Sequence, residues 1–183
     1  METRDLVRIA LFAAVIGALG LLPKFDLPFT AGVPITAQSL GVMLAGIFLG
    51  PRRGALAVLL FLFIVALGMP LLAGGRGGLG PFFAPSAGFL IGFVPGAFVA
   101  GLVMERLQKL PLIPAAIIAA ILGGIVTVYA FGIPVLAAVA KMDIGSAALA
   151  SMVFVPGDLL KAVVAGLVTE AVFRAAPQAF AGR

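Results

Sequence analysis

The chain has 183 residues, of which 63% are hydrophobic and only 10% charged, with a formal net charge of +5. A soluble domain carries roughly a quarter charged residues to face water, so a water-soluble globule is excluded and the surface has to meet lipid. Cysteine and histidine are absent, which removes disulfides, thiolate catalysis, the usual zinc ligands and the Ser-His nucleophile pair.

Six continuous apolar runs predict an all-α integral membrane bundle, one domain over residues 1–183. The alternation of a β-barrel is not seen. The first span, about 6–22, lacks an Ala-x-Ala-like cleavage site, reads as a retained helix rather than a signal peptide, and stops at Pro23. Within it Ala10, Ala14 and Ala18 recur every four residues. That small-residue stripe permits close helix contact, either inside the bundle or with a partner subunit.

The second span, about 38–49, is short for a bilayer of ~30 Å and is entered through "GVPITAQSL". Pro34 fixes an extended approach, and Thr36 is placed to cap the helix. Capping does not account for Gln38, which carries both a donor and an acceptor beside an apolar span. The third span, about 54–72, loosens at Gly68 and Pro70. It leads into "AGGRGGLGPFFAPSAG", where Gly74, Gly75, Gly77 and Gly78 surround Arg76. Such a segment either folds tightly over a cavity with Arg76 as its fixed cation or serves as a flexible linker.

The fourth span is about 86–107 and the fifth about 112–139. Inside the fifth lies Tyr129, the sole tyrosine, whose hydroxyl needs a partner; a neighbouring carbonyl is the simplest one. The sixth, about 147–175, contains "FVPGDLLKAVVAGLV". There Asp158 and Lys161 lie three residues apart and share a helix face. Ionisable groups at membrane depth cost several kcal/mol unless they are paired or wetted, and they default to function. The pair is either a structural clip or the polar part of a ligand pocket, with Phe82, Phe83 and Phe89 as apolar company.

Basic residues fall on alternate ends of the spans. Arg4, Arg8, Arg52, Arg53, Arg106, Lys109, Arg174 and Arg183 lie on one side, against Lys24, Arg76 and Lys141 on the other. The positive-inside rule then puts both termini in the cytoplasm and the Arg76 loop outside. This scatter is a topology signal, not a nucleic-acid patch. The outer half therefore gathers an acid, two cations, a glutamine and a tyrosine. That set suits a small amphipathic ligand with an anionic group and an amide-like group.

Three stretches, "VPITAQSLGVMLAGIFLGPRRGALAVLLFL", "GMPLLAGGRGGLGPFFAPSAGFLIGF" and "PGDLLKA", resemble the BioY family, and the likeness runs over nearly the whole chain. Members of that family are six-helix, substrate-binding S components of energy-coupling-factor transporters for biotin. The resemblance implies a multi-pass protein of the plasma membrane that takes biotin from outside. It implies a membrane T component and a pair of cytoplasmic ATPases as partners, with no cofactor and no catalysis by the chain itself. It further implies that Asp158 and Lys161 contact ligand, that Arg76, Thr36, Gln38 and Tyr129 lie around the site, and that Ala10, Ala14 and Ala18 face the T component. Two rivals stand beside this reading: an intramembrane hydrolase, for which only a Ser-Lys pairing through Lys161 is open, and a membrane scaffold or channel subunit in which Asp158 and Lys161 merely join helices.

Overall fold

The computed structural model describes residues 2–26, 30 and 32–176; Arg183, one of the topology markers, lies outside them. Helix α1 (Thr3–Leu19) opens on a capping box between Glu2 and Asp5, which satisfies orphan N–H groups of its first turn. Then follow α2 (Gln38–Leu49), α3 (Pro51–Ala66), α4 (Ala87–Arg106) and α5 (Leu112–Ala140). The last pair is α6 (Ile144–Met152) and α7 (Val155–Ala175). The protein is all-α, and the described residues hold no strand beyond two isolated bridges, Phe25 to Ile35 and Leu72 to Arg76.

The sixth expected span, 147–175, is a correction: it is two helices, bent by 52° where they meet. Pro156 sits in the first turn of α7 and has no N–H to return to the turn before it, which favours a break at this point. Helix α3 likewise ends at Ala66 rather than near residue 72. Helices α4 and α5, with 20 and 29 residues, are long and apolar enough to cross a membrane, as are α6 and α7 taken together.

Ten of the twelve residues of α2 are buried, which makes it the central helix of the bundle. Its approach to α4 is close: a Cβ on Gly46 would stand 2.3 Å from the carbonyl oxygen of Ala97, so only glycine fits there. Being 12 residues long, α2 covers roughly 18 Å at 1.5 Å per residue, less than a bilayer of ~30 Å, and the non-helical segment Val33–Thr36 leads into it. Large apolar side chains such as Leu59, Phe63, Val126, Leu160 and Leu167 are exposed, as a lipid-facing surface requires.

The two ends of the bundle differ in charge. Arg53 Nε reaches Asp5 Oδ1 at 3.2 Å, tying the starts of α1 and α3 together. Arg106 and Arg174 close α4 and α7. At the opposite end, Lys24 pairs with Asp26 at 2.6 Å and lies against Gly74. There Asp143 caps α6 through bonds from the Ser146 N–H and hydroxyl, which hold its carboxyl below its usual pKa.

Candidate ligand-binding site

Asp158 and Lys161 share the first part of α7 one turn apart, and Lys161 Nζ donates to Asp158 Oδ1 at 2.8 Å. Two more side chains converge on the same carboxylate. Tyr129 of α5 donates its hydroxyl to Oδ2 at 2.7 Å, and Ser39 of α2 donates to Oδ1 at 3.3 Å. The Ser39 hydroxyl in turn accepts from Lys161 Nζ at 3.0 Å. Three helices are thus joined through one acid. Asp158 and Tyr129 are each only 7% exposed, and among the described residues no buried side-chain polar atom lacks a partner.

The cluster forms one wall of a cavity of about 440 Å³, its open mouth included. Apart from Thr36 the remaining walls are apolar, among them Val33, Pro34, Phe89, Phe93, Val128 and Phe154. Phe89 meets Tyr129 and Phe154 edge-on, with ring centroids 5.8 and 6.2 Å apart, the arrangement aromatic quadrupoles favour. A second lobe of about 340 Å³, its open side included, adjoins it, sharing Val33, Pro34, Thr36, Phe89 and Phe93 as a common wall. Its polar lining is Arg76, Gln38 and Ser86, with Thr36 on the shared wall.

Arg76 is held in that lobe by Nε donating to the Ala73 carbonyl at 3.3 Å and Nη1 to Ser86 Oγ at 3.5 Å. Together with the bridge from Leu72 to Arg76, these bonds hold Arg76 against the second lobe. Burial lowers the guanidinium pKa and Asp26 raises it, but an arginine stays charged.

Gln38 is 2% exposed, and backbone groups far along the chain engage its amide. Nε2 donates to the carbonyls of Ile16 at 3.2 Å and Leu71 at 3.1 Å, while Oε1 accepts from the Ala73 N–H at 3.0 Å. The end of α1 comes close enough for this because residue 20 is glycine: a Cβ there would stand 2.2 Å from the Leu71 oxygen. Gln38 is therefore a strut that fixes the Arg76 loop, even though it borders the second lobe.

Three details differ from the sequence reading. Ala37, not Thr36, precedes α2, and no side chain caps it; Thr36 instead lines both lobes. The Tyr129 hydroxyl goes to a carboxylate rather than a carbonyl. Phe83 is exposed and Phe82 half-buried, so of the three phenylalanines only Phe89 lines the cavity. Ser39, Ser86, Phe93 and Phe154 were missed as site residues. Ser39 and Ser86 are uncharged, and the two phenylalanines are among fifteen in the chain.

Away from this cavity, Ala10, Ala14 and Ala18 are exposed, whereas Ala13 and Gly17 on the neighbouring stripe are buried. The three exposed alanines line an apolar groove between α1 and α3, about 780 Å³ with its open side included. They are not used in packing within the bundle.

Comparison with known proteins adds three findings. The BioY family model matches residues 1–178. The chain is 56% identical over 177 residues to the biotin transporter BioY of Rhizobium etli, covering 94% of each chain. It is 51% identical to the biotin transporter BioY of Rhodobacter capsulatus, covering 98% of each. It is also similar to a crystal structure of the S-component for biotin from an ECF-type ABC transporter, with TM-score 0.88, 29% identity and 95% of each chain covered. The chain belongs to the BioY family.

Proposed function

We propose that this BioY-family chain captures biotin from outside the cell, as the S component of an energy-coupling-factor transporter in the plasma membrane. The observation that carries the reading is the polar cluster of Asp158, Lys161, Tyr129 and Ser39 on the wall of a mostly apolar cavity. Biotin has a ureido ring with two N–H donors beside a carbonyl, an apolar thiophane ring and chain, and a carboxylate.

Donor and acceptor accounting matches that ligand. Asp158 Oδ2 receives one bond and has a lone pair left for a ureido N–H. The Lys161 ammonium has three donors, two of them engaged by Asp158 and Ser39, so one is left for the ureido carbonyl. Phe89 and Phe93, shared by both lobes, give the thiophane ring and chain their walls. Because Lys161 is already committed to Asp158, the cation for the carboxylate is Arg76 in the adjoining lobe, with Ser86 beside it.

Six spans with both termini in the cytoplasm accord with the charge difference between the two ends of the bundle. The sequence carries no Walker motif, so uphill movement requires energy from elsewhere. A membrane T component and a pair of cytoplasmic ATPases fill that role, and the exposed alanine stripe of α1 is the surface offered to the T component.

Isothermal titration of the purified chain in detergent tests the capture step. One saturable binding event with biotin is expected, together with a rise in melting temperature on adding the vitamin. No heat and no thermal shift would contradict the proposal.

A further inference from the structure

Helix α5 runs from Leu112 to Ala140, but its segment Ile121–Thr127 is π-helical. A π turn holds one more residue than an α turn, so whatever follows is rotated by roughly 100° relative to an uninterrupted helix. Burial records this shift. The inward pairs Ala115–Ala116 and Ala119–Ala120 come four residues apart; in the π segment three successive residues, Gly123, Gly124 and Ile125, are buried, and the next inward pair is Val128–Tyr129, so the inward face moves on by one residue there.

Both sides of the offset are pinned. A Cβ on Gly123 would lie 2.4 Å from the Gly96 oxygen of α4, so this part of α5 is locked against its neighbour. Beyond the turn, Tyr129 is bonded to Asp158 and stacked edge-on against Phe89. In an unbroken α-helix Thr127 and Val128 would take the inward places, and the tyrosine would turn away from the acid.

Thr127 carries the latch. Its hydroxyl donates to the carbonyl of Leu122 at 2.8 Å, five residues back. A helical threonine ordinarily bonds the carbonyl three or four residues back, so this bond has the register of the wide turn. Gly124 and Val128, either side of the latch, both line the cavity.

We infer that the π turn of α5, held by Thr127, is the positioning element that aims Tyr129 at Asp158, and that Thr127 acts on biotin affinity through that hydroxyl. The inference rests on the proposed site.

Titration of biotin into Thr127→Val, Thr127→Ser, Tyr129→Phe and the Thr127→Val/Tyr129→Phe double variant tests it. Thr127→Val, which keeps the shape of the side chain, is expected to weaken binding about fivefold, the worth of one hydrogen bond. Thr127→Ser, which keeps the hydroxyl, should bind close to wild type. Tyr129→Phe should weaken binding about tenfold, and adding Thr127→Val to it should cost nothing more, because the loss passes through the tyrosine hydroxyl. Wild-type affinity in Thr127→Val, or losses that multiply in the double variant, would overturn the inference while leaving the site intact. Wild-type affinity in Tyr129→Phe would overturn the inference as well, because the tyrosine hydroxyl would then have no affinity to transmit, while the site itself stands or falls with Asp158 and Arg76.

Discussion

Asparagine in place of Asp158 is expected to weaken biotin binding by about 100-fold, close to 3 kcal/mol and at the upper end for hydrogen bonds to a charged group. The carboxylate accepts from Lys161, Tyr129 and Ser39, and in the proposed complex from a ureido N–H as well. An asparagine keeps the shape but turns one acceptor into a donor, set among groups that already donate. Stability should fall too, because the ammonium of Lys161 loses its counter-charge in a half-buried place. Breaking a buried pair costs about 3–5 kcal/mol.

The double variant Asp158→Asn/Lys161→Met separates these effects. Without a stranded charge it should recover much of the thermal stability, and it should still fail to bind biotin. If the pair were only a helix clip, both variants would change melting temperature and neither would change biotin affinity. Titration calorimetry and thermal unfolding on the same preparations distinguish the two.

Arg76→Met is expected to lower biotin affinity by about 10- to 100-fold and to leave the affinity for biotin amide unchanged. The guanidinium has five N–H donors, of which bonds to Ala73 and Ser86 are made, so donors remain for a carboxylate in the second lobe. A charge-assisted pair there is worth roughly 1.4–2.8 kcal/mol, and an uncharged amide forfeits it. Wild-type protein should therefore discriminate against the amide by about the factor that the variant loses. Methionine retains the apolar stem, so the shared wall of the two lobes is preserved. If Lys161 rather than Arg76 held the carboxylate, Arg76→Met would discriminate as the wild type does.

The sequence exposes those parts of the site whose chemistry conflicts with oil. Asp158 and Lys161 stand out because charge at membrane depth needs compensation, and Arg76 because glycines isolate it. Ser39 joins the same cluster with no such conflict, since a hydroxyl next to a helix start passes for a cap. Gln38 reads correctly as needing partners, but they are the backbones of Ile16, Leu71 and Ala73, brought near only by the tertiary fold. Pro156 is visible in the sequence, but the apolar run continues across it and masks the bend between α6 and α7. The π turn in α5 shows in burial as three successive inward residues, Gly123, Gly124 and Ile125, before Val128–Tyr129. Hydropathy hides it, because every position of that stretch except Thr127 and Tyr129 is apolar or glycine.

A structure of the protein with biotin bound tests the central claim most directly. The account predicts the ureido ring within hydrogen-bond distance of Asp158 and of at least one of Lys161 and Tyr129, the thiophane ring and chain between Phe89 and Phe93, and the carboxylate beside Arg76. Biotin seated elsewhere, with Asp158 still closed on Lys161, Ser39 and Tyr129 and touching no ligand atom, would contradict it.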